Sequence, residues 1–219
     1  REVVLLDLQS QFNLNNLKYK NQLESLTTLI NTLHPKTSKE NAFFIALFTQ
    51  EWITKKKQNI RNMTTETYYQ SLKEPYLPTH KLFTSLSEWR WVKDVSQTLF
   101  NTISPYLAAL PEETPLNLNS ASKNILKTLH KDLSEQKIND IVKARGKKGF
   151  RTLQEALNLP VIKALKLNKK QLTLTSDYFL ISSRVSNKET ELTLYTMIKR
   201  TIDKKGIKIS VLDQTINTY

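Results

Sequence analysis

Apolar residues recur at helical spacing between positions 21 and 33, where Leu23, Leu26, Leu29, Ile30 and Leu33 share one face. The spacing predicts a helix that ends before Pro35. A second helix is predicted from an N-cap at Ser38 through Phe43, Phe44, Leu47, Phe48 and Trp52. Residues 55–67 (KKKQNIRNMTTET) have no sustained period and read as a basic loop. Residues 68–81 carry Pro75 and Pro78 and read as irregular. Two short helices follow. One near 87–92 is introduced by Ser85 and Glu88 at capping-box spacing; the other, over 96–107, is interrupted by Pro105. Further short helices are predicted over 123–129, 135–145 and 153–159, the last stopping at Pro160.

The ends of the chain follow a different period. Residues 2–6 form a short β-rich run, and 7–17 (DLQSQFNLNNL) is an asparagine-punctuated turn region. Near position 167 the pattern changes again. Residues 171–175 and 178–185 are β-rich, and 191–199 and 207–212 alternate with period two. Residues 187–189 and 203–206 suit hairpin loops. The layout is an all-helical middle framed by a β run and an antiparallel meander. It predicts an α+β fold in which an α-helical domain (19–167) is inserted into a small β-rich domain made of 1–18 and 168–219.

Composition narrows the function classes. The 219 residues include 3 glycines, no cysteine and a formal charge of +13. Neither G-x-G-x-x-G nor G-x-x-x-x-G-K-[ST] is present, and thiolate chemistry is excluded. The longest unbroken apolar run, residues 42–48, is far shorter than the roughly 20 residues of a membrane span. No signal-peptide pattern is visible at Arg1, yet the chain begins inside an apolar run, which points to an upstream segment. Positive charge suits an anionic partner, although lysine outnumbers arginine, the better bidentate reader of phosphate.

Catalytic constellations are not apparent. His34, His80 and His130 are isolated from one another, and Glu112 and Glu113 are adjacent, so in an extended segment they point apart. No enzyme is expected. Glu88-Trp89-Arg90-Trp91 could stack bases, but the expectation is that one tryptophan packs inside and the other covers a rim. Residues 123–170 hold 13 Lys and Arg against 4 Asp and Glu, and N-S-A-S-x-x-I-L followed by I-x-x-I-V-x-A-R imitates a helix-hairpin-helix unit. That unit needs glycine in its turn to approach a phosphate. The candidate turns, His130-Lys131-Asp132-Leu133-Ser134 and Val92-Lys93-Asp94-Val95-Ser96, contain none. A nucleic-acid-binding helix-hairpin-helix protein is therefore kept only as the alternative.

Read together, the motifs resemble a known family. Asp7-Leu8-Gln9-Ser10-Gln11-Phe12-Asn13-Leu14-Asn15-Asn16-Leu17 resembles the D-L-Q-x-R-F-N-L-N-x-L segment of the minor pseudopilin K of bacterial type II secretion systems. Ser85-Leu86-Ser87-Glu88 through Val95 is similar to its S-x-S-E-L-x-x-V-x-G-V pattern. Pro105-Tyr106-Leu107 through Pro111, then Thr114-Pro115-Leu116-Asn117-Leu118-Asn119-Ser120-Ala121, resembles P-Y-V-x-x-L-P and T-P-I-N-V-N-T-A. Ser176-Asp177-Tyr178-Phe179-Leu180 and Glu191-Leu192-Thr193-Leu194-Tyr195 resemble the last segments, S-x-Y-F-x-L and R-x-L-x-L-Y-S. Asp7, Phe12, Asn13, Asn15, Glu88, Pro115, Asn117, Asn119, Ser120, Tyr178, Phe179 and Tyr195 carry the likeness as structural positions. Ser120 is expected to cap the next helix, and the prolines and N-L-N alternation before it read as a stiff connector.

The resemblance implies a pilin-like domain with an inserted SAM-like or helix-hairpin-helix-like helical domain. It also implies a periplasmic place at the tip of the pseudopilus with minor pseudopilins I and J, and an inner-membrane anchor through an N-terminal helix absent from this sequence. The family often carries an acidic calcium loop, D-W-I-D-x-D followed by E-D-x-Y-Y. Here that stretch holds Glu51, then Lys55, Lys56 and Lys57, then Glu66 before Tyr68-Tyr69. Calcium takes about six to eight oxygen ligands with several carboxylates, so lysines in their place oppose it. Calcium binding is expected to be lost or much weakened, leaving no cofactor.

Overall fold

A computed structural model describes residues 1–19, 21–54, 65–165, 167–187 and 190–217. The chain divides into two compact units. The first comprises Arg1–Gln11, Thr114–Lys123 and Gln136–Tyr219; the second comprises Phe12–Glu113 and Asn124–Glu135.

Strand β1 (Glu2–Asp7) leads through a 3-10 turn into the two-residue strand β2 (Phe12–Asn13). Helix α1 (Asn21–Leu33) has the predicted bounds and buries Leu26, Leu29 and Ile30 completely. Helix α2 (Lys39–Ile53) begins at the predicted cap, where Ser38 Oγ accepts from the Asn41 N–H at 3.1 Å. The two helices pack together, with Ala42, Ile45, Ala46 and Thr49 buried along α2. Helix α3 (Thr65–Gln70) takes in the last residues of the predicted 55–67 loop; residues 55–64 lie outside the described residues.

Ser85 and Glu88 do form a capping box, but the turn they open (Leu86–Trp91) is a 3-10 helix. Helix α4 (Gln97–Ile103) stops before Pro105, and the chain extends into β3 (Leu107–Ala108). β2 and β3 pair in parallel, Phe12 opposite Leu107, deep in the second unit. Their partners are too distant in sequence for periodicity to reveal such short strands.

Strand β4 (Leu116–Asn117) is followed by α5 (Lys123–Lys127), α6 (Glu135–Arg145), α7 (Leu153–Leu157) and α8 (Pro160–Lys163). Pro160 begins a helix rather than only ending one. A proline at the first helical position has no N–H to lose from the helix ladder. β5 (Leu172–Thr173) then pairs in parallel with β4, Leu116 opposite Leu172.

The meander β6 (Tyr178–Ser186), β7 (Glu191–Asp203) and β8 (Gly206–Ile216) joins β1 in an antiparallel sheet of order β1-β6-β7-β8. The β7–β8 turn falls at the predicted 203–206 loop, with Gly206 at φ +123°. The predicted loop at 187–189 lies partly outside the described residues. Met197 pairs with Asp213 but Ile198 with Val211, so Leu212 is an extra residue in the edge strand.

Cross-strand register sorts the sheet into two faces. One gathers Leu180, Tyr178 and Met197, all buried. The other carries Val3, Leu5, Val185, Leu192, Ile202, Ile207, Ile209, Val211 and Ile216, each 43% to 70% exposed. The period-two pattern of the meander therefore produces an apolar face that the described residues leave open.

Candidate functional site

Most of the motif residues converge on two asparagine latches rather than on a reactive cleft. In the second unit, Asn13 Oδ1 accepts from the backbone N–H groups of Asn15 (3.1 Å) and Leu110 (3.2 Å), and its amide donates to the Glu112 carbonyl (2.9 Å). Asn15 is fully buried. Its amide donates to the carbonyls of Phe83 (3.0 Å) and Leu110 (2.7 Å), and its oxygen accepts from the Phe83 N–H (2.8 Å). An asparagine fits here because one side chain supplies the donors and acceptor for three backbone groups. Phe12 beside it is buried in the β2–β3 pair.

The first unit repeats this arrangement. Asn117 Oδ1 accepts from the Asn119 N–H (2.9 Å), and its amide donates to Ser176 Oγ (2.8 Å) and Asp7 Oδ2 (3.1 Å). The Asn119 amide donates to the carbonyls of Phe150 (3.1 Å) and Leu174 (3.3 Å), and its oxygen accepts from the Phe150 N–H (2.7 Å). Phe83 and Phe150 open similar sequences, Phe83-Thr84-Ser85-Leu86-Ser87-Glu88 and Phe150-Arg151-Thr152-Leu153-Gln154-Glu155. Glu88 accepts from Thr84 N–H (2.9 Å) and Ser85 N–H (3.0 Å), and Glu155 from Arg151 N–H (2.8 Å). The pairing of an N-x-N segment with F-x-[ST]-L-x-E is thus an internal repeat. Recognising it in the sequence would have added Phe150 and Glu155 to the motif positions.

Ser120 does not cap α5. Its hydroxyl donates to Asp7 Oδ2, and Asp7 Oδ1 caps the Gln9 N–H at 2.9 Å. The Gln9 amide donates to the Pro115 carbonyl (3.0 Å), and its oxygen accepts from the Asp177 N–H (2.6 Å), which closes a part-buried polar lock around β4. Arg145 completes it by donating to the carbonyls of Leu118 (2.9 Å) and Ala121 (2.7 Å), and burial pulls its guanidinium below the ordinary arginine value. Gly149 makes the loop possible. It sits at φ +74°, and a Cβ there would lie 2.9 Å from the Asn119 side chain.

In the sheet, Tyr178 is buried beneath Lys199, whose Nζ lies 5.1 Å from its ring, and Phe179 faces the Arg200 guanidinium at 5.5 Å. Tyr195 stands opposite Ser182 and lines an open hollow with Glu2, Arg184 and Glu191, where Arg184 and Glu191 pair.

Among the described residues the three histidines each meet a different partner. His34 bonds Thr37 Oγ1 (2.8 Å), His80 lies 3.4 Å from Glu66, and His130 lies 3.6 Å from Asp132. Tyr69 is buried, its oxygen accepting from the Lys93 N–H at 2.9 Å, and burial pushes its phenol well above the ordinary value. Trp89 is buried and donates to Thr49 Oγ1 (3.0 Å), whereas Trp91 is exposed and meets Tyr76 edge-on, the inside-and-rim arrangement expected. Of the calcium loop, the lysines lie outside the described residues. Among the described residues no group of three His, Cys, Asp or Glu side chains gathers that could hold a metal ion.

Two family models, both described as type II secretion system protein K, match residues 10–112 and 116–175. The chain belongs to the type II secretion system protein K family. Each matched range contains one pair of latch asparagines together with its phenylalanine partner. A type II secretion system protein K of Pseudomonas aeruginosa is 28% identical over 130 residues, which cover 59% of this chain and 38% of that relative. The chain thus spans well under half the length of this curated relative. A chain in the crystal structure of the GspK-GspI-GspJ complex of the enterotoxigenic Escherichia coli type 2 secretion system shares the fold. The TM-score is 0.82 at 24% identity, covering 99% of this chain and 79% of that one.

Proposed function

We propose that the protein is a non-enzymatic minor pseudopilin at the tip of the type II secretion pseudopilus, supporting export of folded proteins across the outer membrane. In this reading it is the periplasmic part of a protein anchored in the inner membrane by an upstream helix. It assembles with minor pseudopilins I and J. The open apolar face of β1-β6-β7-β8 carries the proposal. Nine large aliphatic side chains on one face form a patch of the kind that a partner or a further segment covers. The helix that the family resemblance places upstream of residue 1 is the cover that fits, with β1 and the meander forming a pilin-like domain (1–18 and 168–219). Residues 19–167 are then the SAM-like insertion, of which 114–123 and 136–167 cluster with the sheet in one compact unit. Family membership supports the choice of partners, as does the likeness to a chain solved in the Escherichia coli GspK-GspI-GspJ complex.

The nucleic-acid alternative has no such support. In the candidate turn at 92–96, Asp94 occupies the positive-φ position (66°) that glycine would take, placing a carboxylate where a phosphate would approach. The deciding experiment is co-purification of the chain, with its natural upstream helix, with minor pseudopilins I and J. A stoichiometric complex is expected; its absence would overturn the assignment. Replacing Ile207 and Ile209 with serine should weaken the complex while leaving the latches folded.

A further inference from the structure

The latch of the first unit draws together two basic segments. Asn119 bonds Phe150, in the loop after α6, and Leu174, just after the Lys169–Gln171 turn and β5. Lys143, Lys147, Lys148 and Arg151 stand exposed on or beside the first segment, Lys169 and Lys170 on the second. None of the six forms an ion pair among the described residues. Gly146 (φ +55°) and Gly149 (φ +74°) bend the loop around Lys147 and Lys148. Self-repulsion among unpaired cations costs stability, and an anionic partner relieves it.

We propose that this surface docks the acidic face of a partner protein. Compact phosphate sites are built on free backbone N–H groups, where arginine meets the phosphate bidentately and lysine as a point charge. Here the Phe150 N–H is taken by Asn119 and the Arg151 N–H by Glu155, while five of the six cations are lysines. Lysine ammonium groups on flexible stems adapt to scattered carboxylates, and their long-range field steers encounter with an acidic surface.

The test titrates the 219-residue protein against poly-L-glutamate, a DNA duplex and phosphatidylglycerol vesicles at low and physiological salt. Two triple variants with equal charge change are compared: K147E/K148E/K170E in the patch and K204E/K205E/K208E on the β7–β8 hairpin. Circular dichroism and melting temperature verify that both fold. Poly-L-glutamate should bind in preference to the other probes, and the patch variant should lose roughly tenfold or more in affinity while the hairpin variant loses little. Equal losses in both variants, no loss in either, or preferential binding of DNA or vesicles would overturn the proposal.

Discussion

The two asparagine latches use the same bonds in different surroundings. Asn15 is sealed inside the second unit, whereas Asn119 is half-buried beside an exposed basic loop. Hydrogen bonds of similar length therefore differ in worth. Behind Asn15 bulk solvent has no access to a lost partner, while around Asn119 it is close enough to replace one. Where a polar motif is buried matters more for stability than how many bonds it makes.

The sharpest way to break the comparison is Asn15→Ala. It strands the Phe83 N–H and two carbonyls in the core, and should cost about 3 to 4 kcal/mol in urea unfolding. Gly149→Ala comes next, at about 2 kcal/mol, from the positive φ and the contact with Asn119. Asn119→Ala should cost only about 1 to 1.5 kcal/mol, and a loss equal to that of Asn15→Ala would erase the distinction between the sites. The acidic caps repeat the contrast on a smaller scale. Glu88→Ala, which removes two backbone contacts and one to the Thr84 hydroxyl, should cost about 1 kcal/mol, and Glu155→Ala about a few tenths. Smallest of all, EGTA should leave the melting temperature unchanged. A large drop restored only by calcium would show that this chain retains the family's metal site.

Much of the secondary structure is legible in the sequence because it is local. The bounds of α1 and α6, the Ser38 cap and the Ser85–Glu88 box each depend on residues a few positions apart. The two-residue parallel strands depend on partners such as Leu107 for Phe12 and Leu172 for Leu116, and no periodicity encodes those pairings. Ser120 misleads for the same reason: its local context suggests a cap, but its partner is Asp7. The motif asparagines stand out in the sequence by alternation with leucine, yet their role is defined by Phe83 and Phe150, far away along the chain.

A Cβ at position 149 would lie 2.9 Å from the Asn119 side chain, so a change at either position bears on the other. A relative that gains a side chain at 149 must shorten the residue at 119, and the Phe150 backbone then needs another partner. The two positions, 30 apart in the chain, should therefore covary as a pair across descendants of this fold, with Gly–Asn exchanged as a unit or retained as one.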